Sequence, residues 1–263
     1  MSWYYTKQGY ALIAAEDSEQ GHWIGGAPAH SGAECPVCRV PLLLLADLNC
    51  VWIRQYEEAK LFQQLDRLPL YFCWKCSADD LSYQVVSSTR VRIFGNLGKP
   101  QGEDFPYANF PDQFKRCPAK LVPIPYELAK LLAVAQEVGP EWLSGDDTAA
   151  VSAGIAGLRH DGFSQTDVNR HQVGGLLPLI QGHESPECPN PKCKNHKLAH
   201  EGYGVRMLEL AVIHDDPRSG LPMVERAEPG GEGPCPTQFN EWVQVVYWVC
   251  EECLTLAASN RCD

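Results

Sequence analysis

The chain has 263 residues, of which 44% are hydrophobic, and its formal net charge at pH 7 is −11. This length can bury one large core or two modest ones. Such an acidic surface repels the phosphates of nucleic acid, which argues against direct nucleic-acid binding. Because no apolar run is long enough to cross a bilayer, a membrane-spanning protein is also excluded.

In the first half of the chain, residues 1–118, the pattern predicts strands separated by loops and turns. Residues 1–22 predict an N-terminal strand and loop that lead to a Gly-Gly pair at 25–26, where the backbone adopts positive φ or approaches a neighbour closely. An apolar run, a short helix or polar connector at 54–67, and an aromatic strand follow in that order. Residues 82–95 then predict a strand, a turn and a second strand.

The second half, residues 119–263, begins with a helical connector. Apolar side chains at i, i+3, i+4 and i+7 predict a helix over 125–138, and a second helix or loop is expected over 146–158. The polar insertions at 195–203 and 215–233 are rich in Gly, Pro and charge. Loops of this kind tend to carry recognition, so binding residues are expected there.

Both halves show one order of elements: a Gly-Gly turn, a cysteine pair, an apolar strand, a variable loop, an aromatic strand and a second cysteine pair. A fixed order with variable loops is typical of a duplicated unit. We therefore predict an α+β, mostly β fold in which two pseudo-repeated, zinc-clipped β units pack together with a few helices. The boundary is predicted between residues 118 and 119, with both repeats packed as one compact body.

Eight of the twelve cysteines stand in four close pairs: Cys35 and Cys38, Cys73 and Cys76, Cys188 and Cys193, and Cys250 and Cys253. Two such pairs supply the four thiolates that a tetrahedral zinc ion binds at about 2.3 Å. With four cysteines in each half, neither ion needs an open coordination position. The pattern therefore predicts two structural zinc ions rather than a catalytic one.

A disulfide framework is the alternative use of these cysteines. Residues 1–22 contain no basic stretch followed by an apolar one, which is the pattern of a secretory signal. We therefore expect the protein in the cytoplasm, where paired cysteines favour metal over disulfides.

Four further cysteines have no close partner in the sequence: Cys50, Cys117, Cys235 and Cys262. Cys50 and Cys117 are predicted to be small buried hydrophobes. Cys235 is either a spare ligand or part of a loop. His196 and His200 lie near the second set of cysteines, where they are either metal ligands or solvated loop residues.

The sequence contains no recognisable arrangement of catalytic residues. The nucleophile, zinc-protease, nucleotide-binding and deaminase motifs are all missing. Two pairs of adjacent carboxylates, Asp146 with Asp147 and Asp215 with Asp216, are expected to be solvated surface groups. We therefore predict a protein that is not an enzyme, with no catalytic residues to assign.

The order of motifs resembles the YwqG-like domain family and the eukaryotic programmed-cell-death-protein-two-like proteins. The residues that carry this resemblance are Gly25, Gly26, Pro28, Cys35, Cys38, Ala46, Cys73 and Cys76 in the first half, and Gly174, Gly175, Ile180, Gln181, Cys188, Cys193, Ala211, Cys250 and Cys253 in the second. The resemblance implies a protein-binding role on a zinc-clipped β scaffold. Bacterial members look like immunity proteins that block a cognate toxin, and eukaryotic relatives look like chaperones for a basic ribosomal protein.

Charge favours a basic partner for this chain. Residues 1–118 carry 11 basic and 13 acidic side chains, whereas residues 119–263 carry 11 and 20. An acidic surface attracts a basic protein and speeds their encounter, although it also serves plain solubility. We expect a monomer that forms a heterodimer with a basic toxin, a nuclease among the candidates, and occludes its active site. The alternatives are a chaperone for a basic client such as a ribosomal protein and, less favoured, a zinc hydrolase.

Overall fold

The computed structural model describes residues 4–76, 81–95, 110–138, 143–156, 170–179, 183–216, 220–223 and 243–262. Within them lie the strands β1 (Gly9–Ala14), β2 (His22–Gly26), β3 (Leu43–Asn49), β4 (Arg67–Phe72), β5 (Leu81–Ser87), β6 (Arg90–Gly95), β7 (Phe114–Ile124), β8 (Gln172–Val173), β9 (Leu208–His214), β10 (Val243–Val249) and β11 (Leu256–Cys262). The helices are α1 (Cys50–Ile53), α2 (Lys60–Gln64), α3 (Tyr126–Val138), α4 (Gly145–Ala156) and α5 (Lys194–His200).

The described strands form one curled antiparallel sheet. Its order is β4-β3-β2-β7-β1-β8-β9-β10-β11-β5-β6. The protein is therefore α+β and mostly β, which confirms the predicted fold class. The predicted helix over 125–138 is α3, and the predicted strand–turn–strand over 82–95 is the β5–β6 hairpin. The helix or loop expected over 146–158 begins as α4, and residues 157 and 158 lie outside the described residues.

Two predictions of local structure need correction or extension. The insertion at 195–203 was expected to be a loop, but it contains most of α5. The insertion at 215–233 lies mainly outside the described residues. Strands β7 and β11 have no counterpart among the predicted elements, since neither shows a strong strand pattern.

The two repeats have the same register. Ile24 pairs with Ala46 between β2 and β3, and Val173 pairs with Ala211 between β8 and β9. The pairing of β3 with β4 has a β-bulge that leaves Leu45 unpaired. The pairing of β9 with β10 has a bulge at the equivalent residue, Leu210. Because a β-bulge is a defined local feature, its recurrence at matching positions supports a structural duplication.

The N-terminal strand of the chain is exchanged to the second repeat, and β7, which spans the predicted boundary, completes the first. The N-terminal β1 pairs with β8 of the second repeat, and β7 pairs with β2 of the first. Strands β1 and β7 then pair with each other over six residue pairs at the middle of the sheet. The predicted boundary between residues 118 and 119 falls inside β7, so this exchange joins the two repeats through backbone hydrogen bonds.

The Gly-Gly turns have the conformation that the sequence predicts. Gly25 and Gly174 both have φ of 67°. A Cβ on Gly25 would stand 2.5 Å from the Lys115 carbonyl oxygen, and one on Gly175 would stand 2.6 Å from the Cα of Gly9. These glycines therefore allow β7 and β1 to approach closely.

A tyrosine on β5 forms hydrogen bonds with the edge strand β4, which lies far from β5 in the order of the sheet. The buried Tyr83 hydroxyl on β5 accepts a hydrogen bond from the Tyr71 N–H and donates one to the Pro69 carbonyl, both on the edge strand β4. Pro69 has no N–H to pair, which suits an edge strand. The largest cluster of buried apolar side chains lies inside the curl, and α3 covers the outer face of β1 and β7.

Candidate metal centres

The first group of four cysteines, called site 1, comes together between a loop and a strand end. Cys35 and Cys38 lie in the hairpin loop before β3, and Cys73 and Cys76 follow β4 directly. The Sγ atoms of Cys35 and Cys76 are 3.6 Å apart, and those of Cys38 and Cys73 are 3.7 Å apart. All four sulfurs lie within 4.8 Å of one another, so this group could hold a metal ion.

The second group, site 2, has nearly the same dimensions. Cys188 and Cys193 precede α5, and Cys250 and Cys253 follow β10. The Sγ atoms of Cys188 and Cys253 are 3.6 Å apart, and those of Cys193 and Cys250 are 3.7 Å apart. Each of the eight predicted cysteines is therefore placed in the group to which the sequence assigns it.

The sulfur separations fit a tetrahedral ion. Four ligands at about 2.3 Å from a central ion stand about 3.8 Å apart, close to the separations of 3.6 and 3.7 Å. A disulfide would hold two sulfurs at about 2.05 Å. All eight cysteines are free, so both groups present thiol sulfurs rather than bridges.

Tight turns hold two of the cysteine pairs. Arg39 follows Cys38 with φ of 63°, and Leu254 follows Cys253 with φ of 58°. The Arg39 N–H donates to the Cys35 carbonyl, and the Leu254 N–H donates to the Cys250 carbonyl. These two are the non-glycine residues with positive φ in the described part of the chain. After each left-handed residue the chain folds back on the pair, since the Cys35 N–H donates to the Val40 carbonyl and the Cys250 N–H donates to the Thr255 carbonyl.

Burial sets the acidity of the site 1 thiols. It raises the pKa of Cys76 to about 12 and that of Cys73 further, and neighbouring thiols add to both shifts. The Cys76 N–H donates to the Cys73 sulfur, which partly opposes the rise in pKa. Without a cation these thiols therefore hold their protons at neutral pH. A divalent ion would displace the protons, so metal binding at this site should release them.

Site 2 carries additional polar contacts. The Asn195 side-chain amide donates to the Cys250 sulfur at 3.6 Å, and the Cys253 sulfur lies 3.1 Å from the Thr255 hydroxyl. Two residues of the first repeat also reach this turn. Lys60 donates to the carbonyls of Glu251 and Glu252 at 3.3 and 2.8 Å, and Gln84 donates to the Cys253 carbonyl at 2.5 Å. Contacts from outside the group orient metal ligands and tune the ion.

The remaining candidate ligands lie outside the two groups. His196 and His200 lie on α5, and neither belongs to the four-sulfur set of site 2. Cys50 is fully buried, and burial raises its pKa to about 12, as expected for a small apolar residue. Cys117 is half-buried on β7 and packs against the main core. Cys262 ends β11, whereas Cys235 lies outside the described residues.

A repeated histidine is a feature that the sequence reasoning missed. His22 and His171 each precede a Gly-Gly pair by three residues. The Nδ1 atom of His22 accepts the Asn49 N–H at 3.0 Å, and that of His171 accepts the His214 N–H at 3.0 Å. Each ring thus connects the start of the first strand of its repeat to the end of the second strand of the same repeat. The shared spacing H-x-x-G-G was the available signal.

Among the described residues, the second repeat buries charged side chains and the first does not. Glu209 is fully buried, and one of its carboxylate oxygens lies 2.8 Å from His183 Nδ1. Asp216 is 5% exposed and lies 3.6 Å from His171 Nε2. The expectation that the Asp216 carboxylate is solvated was therefore wrong, because it is buried beside His171. Asp146 and Asp147 lie in the first turn of α4, where carboxylates favour the helix dipole.

Three comparisons of the chain, with family models, with curated proteins and with solved structures, found no match. Among the described residues, no helix is both long enough and apolar enough to cross a membrane. The resemblance to zinc-bearing immunity proteins and chaperones therefore stays a prediction.

Proposed function

We propose that this protein is a non-catalytic binding protein whose two repeats are each stabilised by a structural zinc ion. Its function is that of a cytoplasmic immunity protein, which binds a basic toxin and occludes the toxin's active site. Zinc is favoured because it takes four sulfur ligands in a tetrahedral arrangement, and the eight cysteines of the two sites form no disulfide. Four thiolates fill the coordination sphere of each ion, so neither ion has a position left for a substrate.

The single observation that carries the binding role is an apolar surface patch on α1 and the turn that follows it, the α1 patch, formed by Val51, Trp52 and Tyr56. Tyr56 is 61% exposed and Val51 is 48% exposed. The rings of Trp52 and Tyr56 are 4.8 Å apart, and the Trp52 ring also packs edge-on against His22 at 5.2 Å. Trp52 is half-buried and Tyr56 is exposed, and tyrosine and tryptophan side chains held in place in this way are typical of the centre of a protein interface.

Exposed acidic side chains lie close to the α1 patch in the chain or are linked to it through Asn49. The exposed carboxylates nearest to it in the chain, or brought near it through Asn49, are Glu16, Asp17, Glu19, Glu58 and Asp66. Asn49 caps the start of α1 and also donates to the Gln20 carbonyl at 2.9 Å, which holds the 16–20 turn against the helix. An apolar centre with acidic side chains close to it suits a partner that is basic around an apolar pocket.

The basic residues of this region are committed to contacts within the protein. Arg54 donates to the Leu65 carbonyl and to Asp66, and Arg67 forms an ion pair with Asp47 at 2.7 Å. Lys60 donates to carbonyls beside site 2. These three cations keep their charge, but the five exposed carboxylates of the region outnumber them, so the net charge around the patch is negative and favours a basic partner.

The direct test is co-expression with the product of the neighbouring gene. The immunity role predicts that this product is toxic alone and tolerated when the chain is present. A neighbour without toxicity, or toxicity that the chain does not relieve, would contradict the immunity role. Recovery of a nascent basic protein instead would move the assignment to a chaperone, and turnover that requires the metal would move it to a hydrolase.

A variant locates the binding surface. Tyr56→Ala is expected to weaken binding to the partner by about 2 kcal/mol, or about 30-fold, because truncated aromatic anchors carry effects of this size. Tyr203 is 71% exposed and lies outside the α1 patch, so Tyr203→Ala is the matched control and should leave affinity unchanged. Equal affinity of both variants would remove the α1 patch from the interface.

A further inference from the structure

Helix α5 has no counterpart in the first repeat. In the first repeat the turn at Cys35 and Cys38 leads through Arg39 and Val40 towards β3. In the second repeat Cys193 stands at the start of α5, and the helix extends over seven residues before the chain turns towards β9. This helix therefore adds side chains beside site 2 that the duplicated scaffold does not need.

Two histidines occupy one face of α5. His196 and His200 are four residues apart, so they lie one above the other on the helix. Their ring centroids are 4.4 Å apart with an interplanar angle of 81°. His200 is exposed and His196 is half-buried, so both rings are reachable from solvent. Two histidines at this spacing on one helix face are a known arrangement for binding a divalent metal ion.

The hydrogen bond of His196 prepares this ring for a metal. Its Nδ1 atom lies 2.6 Å from the Cys188 carbonyl oxygen. A carbonyl oxygen only accepts hydrogen bonds, so Nδ1 must carry the proton and donate it. In the neutral ring, Nε2 then keeps its lone pair. Histidines that bind metals usually hold the other ring nitrogen in this way, through a backbone carbonyl or a carboxylate.

We propose that His196 and His200 together form a third metal site, which takes a divalent late first-row transition ion at the protein surface. Imidazole ligands suit Zn²⁺, Ni²⁺ and Cu²⁺ and disfavour Mg²⁺ and Ca²⁺, which prefer oxygen. Two protein ligands leave the other coordination positions to water, so the ion exchanges readily. The site uses none of the four thiols of site 2 and does not depend on the proposed partner, but it requires the folded second repeat, because the Cys188 carbonyl holds His196.

The test uses tag-free full-length protein that retains the metal content with which it was purified. Ni²⁺ is titrated into it by calorimetry, while absorption is monitored for the sulfur-to-nickel band that replacement at a thiol site would produce. The expected result is one additional equivalent of Ni²⁺ without that band. His200→Ala is expected to lower the association constant by about tenfold or more, at least the effect of losing an outer-shell partner. His200 is exposed, so this variant should fold normally.

Lys197→Gln is the matched control because Lys197 is an exposed residue of the same helix with no imidazole. It should retain the Ni²⁺ association constant of the unchanged protein. Ring proton signals of His196 and His200 should broaden first when substoichiometric Ni²⁺ is added. The proposal is overturned if His200→Ala binds Ni²⁺ as tightly as the unchanged protein, or if broadening appears at other histidines before these two.

Discussion

The two repeats share a register and a bulge but differ in what they bury. Among the described residues, the buried polar side chains of the first repeat and its leading strand are Thr6, His22 and Ser82. The second repeat buries three charged ones, Arg170, Glu209 and Asp216. Glu209 stands where the first repeat has an apolar leucine, Leu44, which is 5% exposed. Backbone geometry is therefore retained between the repeats while interior chemistry has diverged.

This difference shows which features the scaffold requires. The histidine that accepts a strand-end N–H and the four sulfurs occur in both repeats at the same places. Among the described residues, the α1 patch occurs in the first repeat and α5 in the second. Features that are shared serve the fold, and features found in one repeat are the candidates for binding.

The largest expected effect comes from removing a sulfur of either site. Cys73→Ser and Cys250→Ser should each lose the metal of their site and unfold the repeat that contains it. Structural zinc contributes on the order of 10 kcal/mol to folding in small zinc domains. Metal content and thermal unfolding measure this effect. Cys117→Ser is the control, because Cys117 belongs to neither group of sulfurs. Full stability and metal content in either site variant would refute its ligand role.

A matched pair of histidine substitutions tests the difference in interior chemistry. His22→Leu removes the acceptor of the Asn49 N–H, which should cost about 1–3 kcal/mol of unfolding free energy. His171→Leu removes the same kind of acceptor and also takes away a partner of the buried Asp216. Its cost should be larger, by about 1–3 kcal/mol. Urea unfolding compares the two, and equal costs would show that the Asp216 contact contributes nothing to stability.

The pH dependence of stability sharpens this comparison at His22. Burial lowers the pKa of His22 from 6.5 to about 4, with the Arg67 charge adding to the shift. Between these values the unfolded chain binds more protons than the folded one, so the contribution present above pH 6.5 is lost as the pH falls to 4. The full change is on the order of 3 kcal/mol. His22→Leu should remove it, and parallel pH profiles for the two proteins would contradict the assignment.

The smallest effect concerns the two left-handed turn residues. Arg39 is exposed, so Arg39→Gly should relieve backbone strain without losing packing and raise the unfolding free energy by about 0.5 kcal/mol. Leu254 is buried at the equivalent turn, so Leu254→Gly should lose about 2 kcal/mol instead. Thermal melts distinguish the two directions. A decrease for Arg39→Gly would show that the turn at Arg39 is not strained.

Local patterns predicted much of the fold. The apolar runs form β3 and β9, and the residues with the predicted helical leucine spacing over 125–138 form α3. The four cysteine pairs were assigned to two groups from spacing and order, and the structure brings the same groups together. These features are predictable because each depends on side chains that are close in the chain or on one repeated order.

Long-range features could not be predicted from the same patterns. Strand β7 contains Pro118 and Pro123, which argue against a central strand, and its place follows from its pairing with both β1 and β2. The exchange of strands between repeats depends on pairings between residues far apart in the chain, such as Tyr10 with Val173 and Ile24 with Cys117. Burial of Asp216 depends on a partner, His171, that is remote in sequence.

The metal content of the purified protein tests the central claim most directly. Elemental analysis of protein prepared without added metal, combined with X-ray absorption at the zinc edge, measures both the number of ions and their ligands. Two structural sites predict two zinc ions per chain, each surrounded by four sulfurs at about 2.3 Å. Fewer than two zinc ions, or nitrogen and oxygen atoms in place of sulfur, would contradict the account.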